Sequence, residues 1–307
     1  MDTLTALCFQ TWSCIASAAL ISASLDAQQP RLSVSPVRSS PGAIVRLTLD
    51  PTSTRRDSII EISGQMGGEP VHFLESESRV WRAIGGIPLG ATDSVVARVV
   101  VEHFSGAADT LSAYVALPRP RPTTSRGRRR TLSVDSRFTR PLDSATQARI
   151  DRENARAREV GRRAHLIPPL WTTPFLRPRP STITSRFGSG RTFNGSVRSS
   201  HLGVDFAGKR GAPVRAANRG VVALVDRFFL AGNVVYIDHG GGVVTGYFHL
   251  TKALVSPGDT VARGQRIGLV GATGRVTGPH LHWSARYGGL TVNPLDLLAL
   301  GGWYRGR

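Results

Sequence analysis

The sequence predicts an all-β protein with two folded units, because two stretches of short apolar runs flank an arginine- and proline-rich stretch. In residues 31–117 the runs alternate apolar and polar residues, as in the strands of a β-sandwich. From residue 181 onward, glycines separate the runs and favour the tight turns of β-hairpins. The length of 307 residues also exceeds that of one typical domain.

Residues 1–27 are predicted to be a secretory signal peptide with an atypical N-terminal region. A short apolar stretch at residues 15–23 precedes small residues, but no Lys or Arg comes before Arg31. Both cysteines, Cys8 and Cys14, lie in this segment, so the main body can form neither disulfides nor thiolate metal sites. We therefore expect export to the periplasm, the cell envelope or the extracellular space.

Residues 31–117 are expected to form about seven strands of an immunoglobulin-like β-sandwich. No catalytic cluster is visible there. His72 and His103 are isolated in the sequence, and we expect structural or surface roles for both.

Residues 118–180 are predicted to be a linker with one polar helix at about 144–164. Ser144 and Gln147 have the spacing of a capping box, and we expect the charged residues that follow to form a solvated face. Residues 118–130 contain six arginines, and the whole chain has a net charge of +18. This run has no aromatic residue to stack on bases, so a linker that touches anionic envelope polymers is favoured over a nucleic-acid site.

The motif TGPHLHW at residues 277–283 places His280 and His282 on either side of one leucine. If the stretch after Pro279 is extended, both side chains share a face, roughly 7 Å apart at their Cα atoms. Two interpretations are open at this point. The pair is either a surface feature or a metal site in which one ring binds the ion and the other moves a proton.

The motif SSHLGVDFAG supplies further candidate ligands. In an extended segment His201 and Asp205 would share a face, and Gly203 between them would leave space that suits an ion. These two residues and one histidine of the pair would form a His₂Asp set, which is typical of catalytic zinc sites with an open position. His249 in TGYFHL adds another imidazole on a neighbouring strand.

Several motifs together resemble the lysostaphin-type, LytM-like zinc metallopeptidases that cut peptidoglycan cross-links. They are SRFG, HLGVDFAG, GAPVRAANRGVV, GNVVYIDHGGGVVTGYFHL, VSPGDTVARGQRIGLVGATG and TGPHLHW. The resemblance runs from about residue 181 to 298. The N-terminal module is also similar to β domains that precede some of these peptidases, with AIGGIPLG as the most similar stretch.

The resemblance implies a role for each motif residue. His201, Asp205 and His282 would be the zinc ligands, and His280 the general base. His249 would be a second catalytic imidazole that orients the water or stabilises the oxyanion. All five positions are filled, which argues against the inactive relatives that activate other hydrolases.

Three neighbouring features are expected to be structural. His239 lies beside a glycine turn. Tyr247 would share a face with His249, where core packing is favoured over contact with a reacting carbonyl. GATGRVTG lacks the Lys-Ser/Thr ending of a phosphate loop, so its glycines are expected to serve turns.

The predicted protein is therefore an exported zinc metalloendopeptidase, with a catalytic domain at residues 181–307. Its substrates would be stem or cross-bridge peptides of bacterial peptidoglycan. A non-catalytic, wall-binding regulator of another hydrolase is the alternative. A nucleic-acid-binding protein is a weaker one, and we expect no nucleic-acid partner.

Overall fold

A computed structural model describes residues 30–51, 59–119 and 130–300 of the protein. Most of the regular structure in these ranges is β-strand, so the prediction of an all-β fold is confirmed. The predicted signal peptide, both cysteines and most of the arginine-rich run lie outside the described residues.

The N-terminal module consists of two four-stranded sheets. Its strands are β1 (Arg31–Ser35), β2 (Ile44–Asp50), β3 (Ile59–Met66), β4 (Glu69–Pro70), β5 (Leu74–Glu75), β6 (Trp81–Gly86), β7 (Ser94–His103) and β8 (Ala108–Ala116). The sheet orders are β1-β2-β6-β5 and β4-β3-β7-β8. In β7 every second residue is buried, and side chains from both sheets share one apolar core. An immunoglobulin-like topology stays a prediction.

The segment between the module and the C-terminal sheet is largely structured. It contains β9 (Arg130–Leu132), α1 (Ser144–Arg163) and two short 3₁₀ helices, Ser136–Phe138 and Ala164–Leu166. The N-cap of α1 is Asp143, whose carboxylate accepts a hydrogen bond of 2.6 Å from Thr146 N. The predicted capping box from Ser144 to Gln147 is therefore wrong, because the cap lies one residue earlier.

Helix α1 does not present a purely solvated polar face, which corrects the expectation for this segment. Ala157 packs into an apolar cluster with Leu224, Phe228 and other residues of the C-terminal sheet. Gly161 approaches the Gly288 carbonyl so closely that a Cβ atom would clash. The helix therefore covers the outer face of the sheet.

Within the described part of the chain, no helix is both long and apolar enough to cross a bilayer.

The C-terminal region forms one ten-stranded sheet and one small sheet. Its elements are β10 (Ile183–Ser185), β11 (Gly190–Phe193), β12 (Val197–Ser200), β13 (Val204–Ala207), β14 (Pro213–Arg215), β15 (Gly220–Phe228), β16 (Gly232–Asp238), β17 (Val243–Ala253), β18 (Thr260–Val261), β19 (Arg266–Val270), β20 (His280–Tyr287), β21 (Leu290–Val292) and α2 (Pro294–Ala299). The main order is β10-β13-β20-β17-β16-β15-β18, and β14, β19 and β21 join at its sides. Strand β11 pairs with β12 and, in parallel, with β9.

The N-terminal module contacts the C-terminal sheet through both backbone and side chains. Asn293 N donates to the Gly42 carbonyl at 2.7 Å, and Tyr287 Oη donates to the Pro70 carbonyl at 2.7 Å. A second set of contacts involves Glu69, His72 and His165, which we call the junction cluster. His165 lies 2.8 Å from His72 and 3.1 Å from Glu69, measured between the polar side-chain atoms. The junction cluster thus links the module to the segment that follows α1.

Candidate metal centre

Two adjacent strands bring the predicted site residues together. Strands β13 and β20 are antiparallel neighbours, with Asp205 opposite His282 and Ala207 opposite His280. Strand β20 begins at His280, and Leu281 between the two histidines is fully buried in the core. Both histidines therefore point to the face away from the core, as the extended-strand prediction requires.

His201 reaches the same point from the loop before β13. Its Nδ1 donates to the Arg186 carbonyl at 3.0 Å, which leaves the Nε2 lone pair of the neutral ring facing the site. This nitrogen lies 2.9 Å from His282 Nδ1 and 2.9 Å from Asp205 Oδ1. His282 Nδ1 is also 2.9 Å from Asp205 Oδ1. Three potential ligand atoms of His201, Asp205 and His282 therefore converge on one point.

The chemistry of these donors fits a divalent cation. Two imidazole nitrogens and one carboxylate oxygen form a set that zinc accepts readily. Burial by itself would raise the pKa of Asp205, but the close contacts with His201 and His282 outweigh burial and hold this pKa well below its ordinary value. The centre is thus an ionised carboxylate beside two imidazoles, and a bound cation would balance this concentration of electron-rich atoms.

Gly203 has a different role from the one that the sequence suggested. A Cβ atom at this position would lie 2.5 Å from His282 Nε2 and 2.6 Å from the Trp283 carbonyl oxygen. The space beside Gly203 is therefore filled by the imidazole of His282, and it is not a gap for an ion. The absence of a side chain lets this ring approach Asp205.

The second oxygen of Asp205 is held by Arg191, a residue that sequence reasoning did not find. The Arg191 guanidinium donates to Asp205 Oδ2 and, at 2.8 Å, to Ser185 Oγ. Arg191 belongs to β11, so the small sheet anchors the carboxylate through the oxygen that does not contact His201 and His282. No motif marked this arginine, because the contact depends on pairing between segments that are remote in sequence.

His280 lies next to the three converging residues without joining them. Its Nδ1 donates to the Gly278 carbonyl at 2.9 Å, so the Nε2 lone pair of the neutral ring points toward the site. Nε2 is 3.7 Å from Asp205 Oδ1, beyond hydrogen-bonding distance. The His280 ring can therefore accept a proton from a group bound beside the centre.

His249 occupies a strained position in β17. Its φ of 62° lies in the left-handed region, and the pairing of β17 with its neighbours shifts register nearby. The ring centroid lies 4.9 Å from that of His280 and 5.8 Å from that of His282. Nδ1 donates to the Thr273 carbonyl at 2.8 Å, which again frees Nε2.

The irregularity at His249 also corrects the expectation that Tyr247 shares its face. Tyr247 is fully buried in the core, where its hydroxyl accepts hydrogen bonds from Ala217 N at 2.8 Å and Thr245 at 2.9 Å. Phe248, the next residue, stacks on the His282 ring with centroids 5.1 Å apart. Because the backbone deviates at His249, Phe248 and His249 both face the site.

Desolvation keeps the rings of His249 and His282 uncharged near neutral pH. Desolvation lowers the pKa of His282 to about 4, although the nearby Asp205 opposes this shift. Desolvation and the neighbouring His280 hold the pKa of His249 well below its ordinary value. Neutral imidazoles are the form that can bind a metal or accept a proton.

An open cavity of about 700 Å³ gives access to the centre. Its walls include Asp205, His249 and His280, together with Arg191 and Arg275. An extended peptide could therefore pass beside the converging residues. Leu132 of β9 also lines this cavity, so the predicted linker contributes to its wall.

Other histidines that the sequence singled out lie elsewhere. His239 is fully buried and donates to the Arg219 carbonyl at 2.7 Å, consistent with a structural role. His103 lies 2.9 Å from Asp109 in the N-terminal module, and His72 belongs to the junction cluster. The GATGRVTG stretch leads into β20 and not into a helix.

The fold and the site define a β-hairpin domain with a His-Asp-His centre, a pattern found in metal-dependent hydrolases. Residues 199–294 match the model of peptidase family M23, so this part of the chain is an M23 peptidase domain.

Curated relatives are similar to the same part of the chain. Peptidoglycan DD-endopeptidase ShyA of Vibrio cholerae is 50% identical over 95 residues, which are 31% of this chain and 22% of ShyA. ShyC of the same organism is 38% identical over 165 residues, which are 53% of this chain and 35% of ShyC. The chain thus spans about a fifth to a third of these two proteins.

One solved structure is similar over most of the chain. It is a Pseudomonas aeruginosa protein assigned to peptidase M23, with 26% identity and a TM-score of 0.61. The match covers 84% of this chain and 94% of that one. This share is too large for the C-terminal domain alone, so the similarity includes part of the N-terminal region.

Proposed function

We propose that this protein is a zinc-dependent endopeptidase that hydrolyses peptide cross-links of bacterial peptidoglycan. The observation that carries the proposal is the convergence of His201, Asp205 and His282, with mutual distances of 2.9 Å, beside two further imidazoles at an open cavity. The relatives named peptidoglycan DD-endopeptidases support the substrate class.

In this proposal His201, Asp205 and His282 hold the metal. A bound zinc ion supplies Lewis acidity toward a carbonyl oxygen and toward water. Arg191 fixes the Asp205 carboxylate through Oδ2, which leaves Oδ1 beside the nitrogens of His201 and His282. The hydrogen bond from His201 to the Arg186 carbonyl orients that ring in the same way.

His280 is assigned as the general base. Its Nε2 is an acceptor that lies 3.7 Å from Asp205 Oδ1, and it would take the proton of the attacking water. The protonated ring could then return this proton to the leaving amine. The Gly278 carbonyl holds the ring in one orientation throughout.

His249 is assigned to orienting the water. Its Nδ1 hydrogen is committed to the Thr273 carbonyl, so the neutral ring offers an acceptor and not a donor at Nε2. Of the two roles expected for His249, an acceptor fits orientation of the water better than stabilisation of an oxyanion.

The surroundings of the enzyme are part of the same proposal. A signal peptide at residues 1–27 would direct the chain to the periplasm or the cell envelope. The arginine-rich run would increase its contact with anionic envelope polymers, in addition to the peptidoglycan substrate.

Zinc-dependent release of muropeptides from purified sacculi tests the proposed function. The full chain should release cross-link cleavage products when loaded with zinc, lose this activity with a chelator, and regain it when zinc is restored. Asp205→Ala is the matched inactive control. A folded, zinc-loaded chain that releases no product but still binds sacculi would favour the regulator alternative.

A further inference from the structure

Arg275 lies in the wall of the cavity that leads to the candidate metal centre. It belongs to the loop between β19 and β20, and its backbone N donates to the Leu230 carbonyl at 2.9 Å. Its guanidinium carbon lies 4.2 Å from the centroid of the Phe193 ring. Phe193 is buried in β11, so the aromatic ring is a fixed platform that restricts the arginine fork.

The Arg275 guanidinium has no acceptor among the residues that the structure describes. The neighbouring Arg191 differs, because it is paired with Asp205 and Ser185. Desolvation and the positive charge of Arg191 lower the pKa of Arg275, as expected for a half-buried cation beside a second cation. Partial burial of this cation becomes favourable when a bound ligand supplies an anion as its partner.

The cavity wall itself cannot supply that anion. Asp205 is the one carboxylate among the described lining residues, and both of its oxygens are engaged, one with Arg191 and the other with His201 and His282. Arg186 also lines the cavity, so its wall carries an excess of positive charge. Such a wall favours a substrate with a negative group close to the reacting bond.

We propose that Arg275 is a specificity-determining residue that binds a carboxylate of the substrate peptide beside the scissile bond. This inference rests on the proposed function, because it names the class of peptide that the same site selects. A planar guanidinium that is stacked on an aromatic ring presents two parallel N–H groups, which match the two oxygens of a carboxylate. The preferred cross-link would therefore carry a free carboxylate, and amidation of that group would weaken binding.

Two synthetic forms of one cross-bridge peptide test this inference with the zinc-loaded full chain. The forms differ in a single group, a free carboxylate or a primary carboxamide on the residue that follows the scissile bond. The native protein should cleave the acid form with a kcat/KM about 10- to 100-fold higher, mainly through a lower KM. Arg275→Gln should remove most of this preference while it leaves kcat/KM for the amide form within about threefold.

Two variants serve as comparisons. Arg198→Gln removes the same charge from an exposed position on β12, outside the cavity, and should keep the full preference. Arg275→Lys keeps the charge but loses the fork, so it should retain only part of the preference. An equal loss for both peptides in Arg275→Gln, or a preference that survives it, would overturn the assignment.

Binding of the two peptide forms, measured by calorimetry, decides the inference separately from catalysis. The acid form should bind the native protein at least tenfold more tightly than the amide form, and Arg275→Gln should abolish this difference. If the native protein cleaves neither peptide but binds them with this difference, the proposed function fails and the carboxylate site stands. Equal affinity for the two forms would refute the site.

Discussion

The junction cluster and the candidate metal centre both combine histidines that are at least partly buried with a carboxylate, and they differ in where the ring nitrogens point. In the junction cluster His165 uses both nitrogens, with Nδ1 toward His72 and Nε2 toward Glu69. The polar atoms therefore form a chain. In the candidate centre one atom each from His201, Asp205 and His282 converges on a common point.

Backbone carbonyls account for much of this difference. At the centre, three rings each donate a hydrogen bond from Nδ1 to a backbone carbonyl, which directs Nε2 toward the site. These rings belong to His201, His249 and His280. The junction histidines have no such anchor among their described contacts and bond instead to each other and to Glu69. Proximity of histidine and carboxylate is therefore insufficient for a metal site. The orientation of the rings decides it.

The largest effect that we predict is on the general base. His280→Ala should lower the turnover number about 10²- to 10⁴-fold, because a positioned base is lost while the three ligands remain. Release of muropeptides under saturating conditions measures this change. His72→Ala, in the junction cluster, should leave turnover within about twofold of the native value. A similar loss in both variants would mean that the two clusters do not differ as described.

The second prediction concerns the approach of His282 to Asp205. Gly203→Ala should lower zinc affinity about 10- to 100-fold, because its methyl group would displace the His282 ring. Competition with a chromophoric chelator measures this affinity. Gly90→Ala is the control, since Gly90 has no heavy atom within 4 Å of its added Cβ. Unchanged affinity in Gly203→Ala would show that the ring has other room to move.

The third prediction separates stability from metal binding. Glu69→Gln should reduce the free energy of unfolding by about 1–3 kcal/mol, because the carboxylate accepts hydrogen bonds from His165 and from Gly289 N. Zinc content should remain native. Urea unfolding of the metal-free protein checks the first value and elemental analysis the second. Loss of zinc without loss of stability would contradict the structural role of the junction cluster.

The smallest effect is the pH dependence of the junction cluster. Burial lowers the pKa values of His72 and His165, so the unfolded chain binds more protons than the folded one below pH about 6.5. The contribution of the two histidines to the free energy of unfolding should be fully present above that pH and should decrease as the pH falls. His72→Gln should make this decrease shallower in metal-free protein. Urea midpoints at pH 5.5 and 8 measure it, and an unchanged slope would exclude His72 as a contributor.

The metal centre and the junction cluster also differ in how much of their structure the sequence predicts. The alternation around Leu281 predicted that His280 and His282 share a face, because strand geometry alone fixes that relation. The resemblance to a peptidase family supplied the roles. By contrast, the sequence indicates an isolated His72, since its partner His165 is 93 residues away and only the tertiary fold brings the two rings together.

Other features of the site required the structure for the same reason. Tyr247 and His249 were expected to share a face, and the left-handed backbone at His249 breaks the alternation on which that prediction depended. Arg191 lies in no motif, and the GATGRVTG stretch that contains Arg275 indicates only turn glycines. The contacts of these arginines with Asp205 and Phe193 depend on strand pairing and loop placement. The sequence does not indicate the docking of α1, because two of its three buried residues, Ala157 and Gly161, are small.

The zinc content of two alanine variants tests the central claim most directly. Purified His280→Ala and His282→Ala should both be compared with the native chain by elemental analysis, with folding verified by circular dichroism. We predict about one zinc per chain in the native protein and in His280→Ala, and a large loss of zinc in His282→Ala, because metal affinity depends on the complete set of donors. A folded His282→Ala that keeps its zinc while His280→Ala loses it would contradict the assignment and reverse the two roles.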